Sequence, residues 1–183
     1  MGAGLARSHP YTSAVSDGSF RYMDLRASPE LIRTTLEDFV AFGRHPAIQT
    51  FYRLVEHLNG ADSALETNDC AFEPPARDPD DDRVICAGRV MVLFRDLPRN
   101  LLGAEWEVYT QALHEALCEL DPDFEQGMIG TTPVRVHFRE LPASDGAQLM
   151  ISFWAWGDTE RACWANLARV MSNLEGVLRA PAR

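Results

Sequence analysis

The chain has 183 residues, 46% of them hydrophobic and 24% charged, which is enough to bury one substantial core and short for two domains. Its formal net charge of −10 disfavours binding to nucleic acid or to anionic membrane surfaces, where positive charge supplies most of the affinity. All 17 basic side chains are arginine, and without lysine Schiff-base enzymes, Walker-type ATPases and protein kinases are excluded.

The N-terminal residues are rich in glycine, serine and proline and lack the apolar stretch of a secretory signal. This composition predicts a flexible lead-in over residues 1–27, followed by a single domain over residues 28–183. No apolar run reaches the roughly 20 residues that a membrane-spanning helix needs. We therefore expect a cytoplasmic protein that does not enter a membrane.

Four segments show apolar side chains at helical spacing, which predicts four helices. Ser28 and Pro29 are good first residues for the earliest of them. The next two are expected over residues 46–58 and 102–120. Asp158 is expected to cap the last helix.

Alternating apolar and polar side chains predict strands over residues 84–94, 134–140 and 148–156, with a further short strand over residues 64–72. The glycine-containing residues 127–130 are expected to form a turn. The resulting order ααββαββα predicts an α+β fold, in which an antiparallel sheet of about four strands has helices packed on it.

The polar positions of these strands form the main candidate site. If the expected registers hold, one sheet face opposite the aliphatic core carries Arg89, Arg95, Arg135, His137, Arg139, Ser152, Trp154 and Trp156. Guanidinium groups beside indole rings are typical of partner and anion sites. Two alternatives remain open: the N-terminal helices cover this face, or the arginines are only the solvated half of amphipathic strands.

A second candidate is an acidic loop that contains Asp78, Asp80, Asp81 and Asp82. The spacing of these aspartates resembles the start of a calcium loop, but Arg83 stands where glycine is required and Arg89 where the last glutamate belongs. We therefore expect a charged loop, able to attract a basic partner, and no metal.

Cysteine and histidine suggest no catalytic or metal site. The four cysteines lack CxxC spacing, and Cys86, Cys118 and Cys163 lie in apolar patterns that predict buried, reduced thiols. Asp69 and Cys70, together with a distant histidine, could suggest a nucleophile, but nothing places a base beside the thiol. A polar turn explains Asn68 and Asp69 equally well. No cofactor is implied.

These observations favour a non-enzymatic acidic protein-binding protein whose partner is another protein, with basic charge. One concrete form is a toxin-neutralising immunity protein of a bacterial-type cytoplasm. The alternative is a small-molecule binder or enzyme, with an anionic ligand in a pocket lined by the arginine and tryptophan face. A self-assembling structural subunit is a third possibility.

Overall fold

A computed structural model describes residues 20–21, 45–101, 103–122, 124–138 and 145–179. The helix predicted to begin at Ser28 lies outside these residues, as does most of the predicted lead-in. The elements in chain order are β1 (Phe20–Arg21), α1 (Pro46–Asn59), β2 (Leu65–Arg77), β3 (Val84–Phe94), a short 3-10 helix (Leu97–Leu101), α2 (Gly103–Leu120), β4 (Gly127–His137), β5 (Asp145–Gly157) and α3 (Glu160–Leu178).

The strands form one sheet in the order β1-β4-β5-β3-β2. The four long strands pair antiparallel, and the two-residue strand β1 pairs parallel with β4. The predicted α+β fold with an antiparallel sheet of about four strands is therefore confirmed. The predicted hairpin of the last two strands is confirmed by the pairing of β4 with β5.

The helices cover one face of this sheet, which we call the helix face. It carries the apolar even-numbered residues of β3 and odd-numbered residues of β5, and the ring of Phe51 from α1 lies 5.8 Å from that of Phe153. The far face, turned away from the three helices, carries the residues between them in each strand. Among the described residues, no helix is long and apolar enough to span a membrane.

Gly88 makes this packing possible at the centre of the sheet. A Cβ atom at this position would lie 2.4 Å from the ring of Phe153 and 2.8 Å from the carbonyl oxygen of Ala71. Phe153 therefore uses the space that a side chain on β3 would fill, and its ring is fully buried between the sheet and α1.

Strand β2 extends further than the short strand predicted over residues 64–72. It continues through Pro74 and Pro75 to Arg77, with a register shift between Glu73 and Ala76. Proline cannot donate to a strand ladder, so it is tolerated here because β2 is the last strand of the described sheet and the two prolines sit in a bulge.

The turn predicted at residues 127–130 is wrong, because these residues begin β4. A Cβ atom at Gly127 would lie 2.5 Å from Val170 Cγ2 on α3. The glycine therefore indicates close packing of a helix on the strand and not a turn.

The capping residue predicted for the last helix is also wrong by one position. Thr159, not Asp158, is the N-cap of α3, and its hydroxyl accepts a hydrogen bond from the backbone N–H of Ala162 at 3.2 Å.

Candidate partner-binding surface

The strand registers separate the residues that were predicted to share one sheet face. Arg89 pairs with Ser152 on the far face, which also holds Trp154 and Trp156. Arg135 pairs with Ala147 and His137 pairs with Asp145, and this register puts both side chains on the helix face instead. The predicted grouping of Arg135 and His137 with the tryptophans is therefore wrong, and Arg139 lies outside the described residues.

The physical reason is a second apolar cluster on the far face. Val136, Phe138 and Leu93 are fully buried there, with Leu97 and Leu101 packed against them. Strand β4 therefore turns Val136 away from the main core, and its alternation is offset by one residue from the prediction. A slip of one residue moves every side chain to the opposite face.

Arg135 and His137 both contact one carboxylate. The guanidinium of Arg135 donates to Asp145, and His137 Nδ1 lies 2.9 Å from Asp145 Oδ1. The hydrogen bond from Arg135, followed by that from His137, holds the pKa of Asp145 below its usual value. This group therefore forms a local ion cluster at the edge of the helix face.

Arg95 lies just after β3 and stabilises the end of α1. Its guanidinium donates to the carbonyl oxygens of Ala61 at 3.0 Å and Leu58 at 3.3 Å, and also to that of Gly60. Carbonyl groups at a helix C-terminus lack partners within the helix, and a cation there also complements the helix dipole. Arg95 thus has a capping role in the fold.

Arg89 pairs with a fully buried aspartate. Its Nη2 atom lies 3.0 Å from Asp69 Oδ2, and the Asp69 side chain is 0% exposed against 26% for Arg89. A buried carboxylate needs such a partner, because its desolvation is otherwise costly. Arg89 therefore connects a buried charge to the partly exposed part of the far face.

The polar segment around Asp69 is a buried hydrogen-bonded layer, and sequence patterning did not reveal it. Asn68 Nδ2 donates to Gln148 Oε1 at 2.8 Å, and Gln148 Nε2 lies 3.1 Å from the sulfur of Met91. Asn68 occupies the register shift between Thr67 and Asp69, so no period-two signal marks it.

Asp69 and Cys70 do not form a nucleophile and base pair with each other. Asp69 pairs with Met91 and Cys70 with Val90, so the two side chains point to opposite faces of the sheet. Within the described ranges, no group of three or more His, Cys, Asp or Glu side chains is placed to hold a metal ion.

The cysteines are free thiols in the structure. Cys86 and Cys163 are buried, as predicted, and both contact the carbonyl oxygen of Ala155, at 3.6 and 3.4 Å. The burial predicted for Cys118 is wrong, because α2 turns this thiol outward to lie 3.7 Å from His114 Nε2.

The two tryptophans of β5 lie at the opposite end of the far face from the second apolar cluster. Trp154 pairs across the sheet with Ala87 and Met128, and Trp156 pairs with Ile85. Both indoles are partly exposed, and the Met128 side chain is 54% exposed. These side chains are therefore partly accessible at this end of the far face.

The acidic loop closes the hairpin of β2 and β3 at this same end of the sheet. The N–H of Asp78 donates to the carbonyl of Arg83 at 2.8 Å, and Asp78 Oδ1 accepts from the N–H of Asp80 at 2.9 Å. An aspartate whose side chain accepts a hydrogen bond from the backbone N–H two residues later commonly forms a turn. The loop thus holds its shape through its own backbone.

The flanking arginines neutralise part of the loop. Arg77 pairs with Asp82, and Arg83 pairs with Asp81. Four aspartates against two arginines leave a charge of −2 over residues 77–83. The side chain of Asp82 is 95% exposed, so this residual charge faces solvent.

Arg83 joins the acidic loop to the tryptophans. Its Cζ atom lies 5.5 Å from the centre of the Trp156 ring, while its Nε donates to Asp81 Oδ2 at 2.6 Å. The acidic loop is therefore adjacent to the tryptophan end of the first candidate site. We call them together the hairpin-end surface, which comprises Asp78, Asp80, Asp81, Asp82, Arg83, Met128, Trp154 and Trp156.

A cleft of about 650 Å³ lies elsewhere, where the N-termini of α1 and α3 meet. His45 stacks on Trp164 at 4.1 Å between ring centres, and its Nδ1 accepts from the N–H of Ala47, which caps α1. Burial lowers the pKa of His45 and favours its neutral, accepting form. None of the arginines predicted as binding residues lines this cleft.

Comparison with protein-family models, curated proteins and solved structures finds no match for this chain. A functional assignment therefore depends on its own residues. Among the described residues, the hairpin-end surface combines exposed carboxylates with accessible large apolar side chains, which suits contact with a positively charged macromolecule.

Proposed function

We propose that this chain is a non-enzymatic acidic protein-binding protein that binds a basic partner protein at the hairpin-end surface. The main support is Arg83, which pairs with Asp81 of the exposed acidic loop and lies over the ring of Trp156. Tryptophan and methionine are enriched at the centres of protein interfaces, and polar groups form their rims.

The charge of the whole chain supports the same partner class. A net charge of −10 attracts a positively charged protein over several ångströms and repels nucleic acid. Charge complementarity raises the association rate and disfavours wrong partners more than it raises affinity. The partner in this proposal is therefore a basic protein and not a polynucleotide.

The concrete form of the proposal is a toxin-neutralising immunity protein in a bacterial-type cytoplasm. A toxin that acts on an anionic substrate needs a basic active site, and exposed aspartates can occupy such a site in place of the substrate. Buried free thiols such as Cys86 and Cys163 suit a reducing compartment.

A small-molecule site for an anionic ligand has less support. The arginines suggested for it are divided between the two faces, and Arg89, Arg95 and Arg135 contact a carboxylate or backbone carbonyls. A thermal-shift screen with organic acids and nucleotides addresses this alternative, because a ligand of the native state raises its melting temperature.

The test compares two variants that lose the same charge. The loop variant carries Asp80→Asn, Asp81→Asn and Asp82→Asn. The control variant, in the exposed part of α2, carries Glu107→Gln, Glu115→Gln and Glu119→Gln. Each is immobilised beside wild type and incubated with lysate of the native host at low and at physiological salt.

We expect one basic protein to be retained by wild type and by the α2 variant and lost by the loop variant, most clearly at physiological salt. Equal retention by all three proteins, or equal loss from both variants, would argue against the hairpin-end surface. For the immunity form, the captured protein must arrest growth when expressed alone and be neutralised by wild type but not by the loop variant.

A further inference from the structure

We infer that the hairpin-end surface is built to accept an arginine side chain of the partner, and that Arg83 occupies this position in the free chain. The inference rests on the proposed function, because it names the group on the partner that the same surface recognises. It adds the prediction that Arg83 competes with the partner's arginine for the same position.

The contacts of Arg83 define a guanidinium position. One edge of the group faces a carboxylate, with Nε 2.6 Å from Asp81 Oδ2 and Nη2 bonded to the same oxygen. Its Cζ atom lies 5.5 Å from the Trp156 ring centre, within the range of a cation–π contact. A carboxylate and an aromatic ring thus contact one cation together.

This combination favours a guanidinium over an ammonium group. Guanidinium is planar, so it can donate along one edge to a carboxylate while it interacts with an indole ring. A lysine ammonium is a compact, strongly hydrated charge that gains less from the ring. An arginine-rich segment should therefore bind better than a lysine-rich segment of equal charge.

Arg83 is exposed enough to be displaced. The side chains of Arg83 and Asp81 are 46% and 49% exposed, and exposed ion pairs contribute only about 0–1 kcal/mol. An incoming arginine must compete with Arg83 for Asp81 and Trp156. Removal of the Arg83 side chain should therefore strengthen the binding of arginine peptides.

Arg77 provides a matched control in the same loop. It pairs with Asp82, so its replacement by alanine changes the loop charge by the same amount. Among the described residues, the cation–π contacts involve Arg83, Arg99 and Arg169, not Arg77. The change in peptide affinity caused by Arg77→Ala therefore measures the effect of loop charge. Any larger change caused by Arg83→Ala measures the effect of emptying the guanidinium position.

The experiment measures the binding of labelled nonaarginine and nonalysine peptides by fluorescence anisotropy at low salt. The proteins are wild type, Arg83→Ala, Arg77→Ala, Trp156→Leu, Trp156→Phe and the loop variant. Circular dichroism confirms that each variant is folded. Trp156→Phe keeps an aromatic ring, so it separates loss of the ring from a general disturbance of the strand.

We expect wild type to bind nonaarginine more tightly than nonalysine by about two- to fivefold, the range of an exposed cation–π contact. Arg83→Ala should increase this preference by a similar factor, while Arg77→Ala should strengthen the binding of both peptides equally. Trp156→Leu should remove the preference, and Trp156→Phe should keep part of it.

Two results would overturn the inference in different ways. In the first, both peptides bind with equal affinity, Arg83→Ala and Arg77→Ala change that affinity equally, and only the loop variant loses binding. Recognition is then by charge alone, so the inferred guanidinium position is wrong and the proposed function stands. If neither peptide binds any of these proteins at low salt, both the inference and the proposed basic partner are wrong.

Discussion

Arg89 and Asp69 illustrate how one residue can tie a buried charge to solvent. The aspartate is completely buried, while a quarter of the arginine side chain is accessible. Removal of the arginine would leave the carboxylate with fewer hydrogen bonds in a position that water does not reach.

We expect Arg89→Ala to lower the free energy of unfolding by about 2 kcal/mol, the size of a lost charged hydrogen bond to a buried group. Arg77→Ala breaks an exposed ion pair and should cost less than about 1 kcal/mol. Urea unfolding followed by circular dichroism measures both. A similar loss of unfolding free energy in the two variants would show that the burial of Asp69 does not increase the contribution of its ion pair to stability.

Gly88 leaves no room for a side chain at the centre of the sheet. An added methyl group would overlap both the Phe153 ring and the Ala71 carbonyl, and a backbone atom cannot move away cheaply. We expect Gly88→Ala to destabilise the protein by about 1–3 kcal/mol in urea unfolding.

The control is Gly103→Ala at the start of α2, where a Cβ atom would meet nothing within 4 Å. Alanine favours a helix over glycine, so this variant should be neutral or slightly more stable. An equal loss of stability in Gly88→Ala and Gly103→Ala would contradict the steric explanation for Gly88.

At the scale of elements, strands β3 and β5 could be predicted because core side chains recur at every second position along most of each strand. Strand β4 could not be placed in register, since Val136 packs into a separate apolar cluster on the far face. Strand β2 was only partly visible, because Asn68 and Asp69 are polar yet buried. Period-two reasoning assumes one apolar face, and both failures occur where that assumption does not hold.

Asp121 links the end of α2 to α3. Its carboxylate accepts from Arg169 Nε at 2.5 Å and from Asn173 Nδ2 at 2.9 Å. The bond to Arg169, followed by that to Asn173, lowers the pKa of Asp121 below the ordinary value of 3.8. The ionised form is therefore preferred in the folded state.

The sign of the pH effect follows from this lowered pKa. Above pH 3.8 the carboxylate is ionised whether or not the chain is folded, so the stabilisation is fully present; it is lost as the pH falls through the lower folded pKa. We expect Asp121→Asn to reduce the urea midpoint more at pH 7 than at pH 2.5. An equal reduction at both pH values would show that the charge of Asp121 is not involved.

At the scale of the whole molecule, the tryptophans separate into two classes. Trp106 and Trp164 are 1% and 8% exposed, whereas Trp154 and Trp156 are partly accessible at the hairpin-end surface. Their fluorescence therefore reports separately on the core and on the candidate binding surface.

We expect acrylamide to quench a substantial fraction of the native fluorescence, and this fraction to disappear in a Trp154→Phe and Trp156→Phe double variant. Trp106→Phe should leave the intensity of the quenchable emission unchanged and raise its share of the total, because the indole of Trp106 lies in the core. Quenching that persists in the double variant would mean that these two side chains are not the accessible ones.

The candidate surface was only half predictable at this scale. The loop aspartates and the tryptophans each stand out in the sequence, but their separation along the chain gives no sign that they are neighbours. Their proximity depends on the pairing of Val84 with Gly157 and of Ile85 with Trp156, which brings the end of β5 beside the loop. Register is a property of the assembled sheet, so a local pattern does not specify it.

The prolines in β2 have a consequence for how the molecule behaves beside other copies of itself. A terminal strand offers unpaired backbone groups that another chain can extend into a continuous ladder. Pro74 and Pro75 have no N–H to offer, and the bulge that contains them interrupts the regular spacing of the strand. This part of the edge is therefore a poor template for strand addition, which disfavours pairing with a second copy of the chain at this end of the sheet.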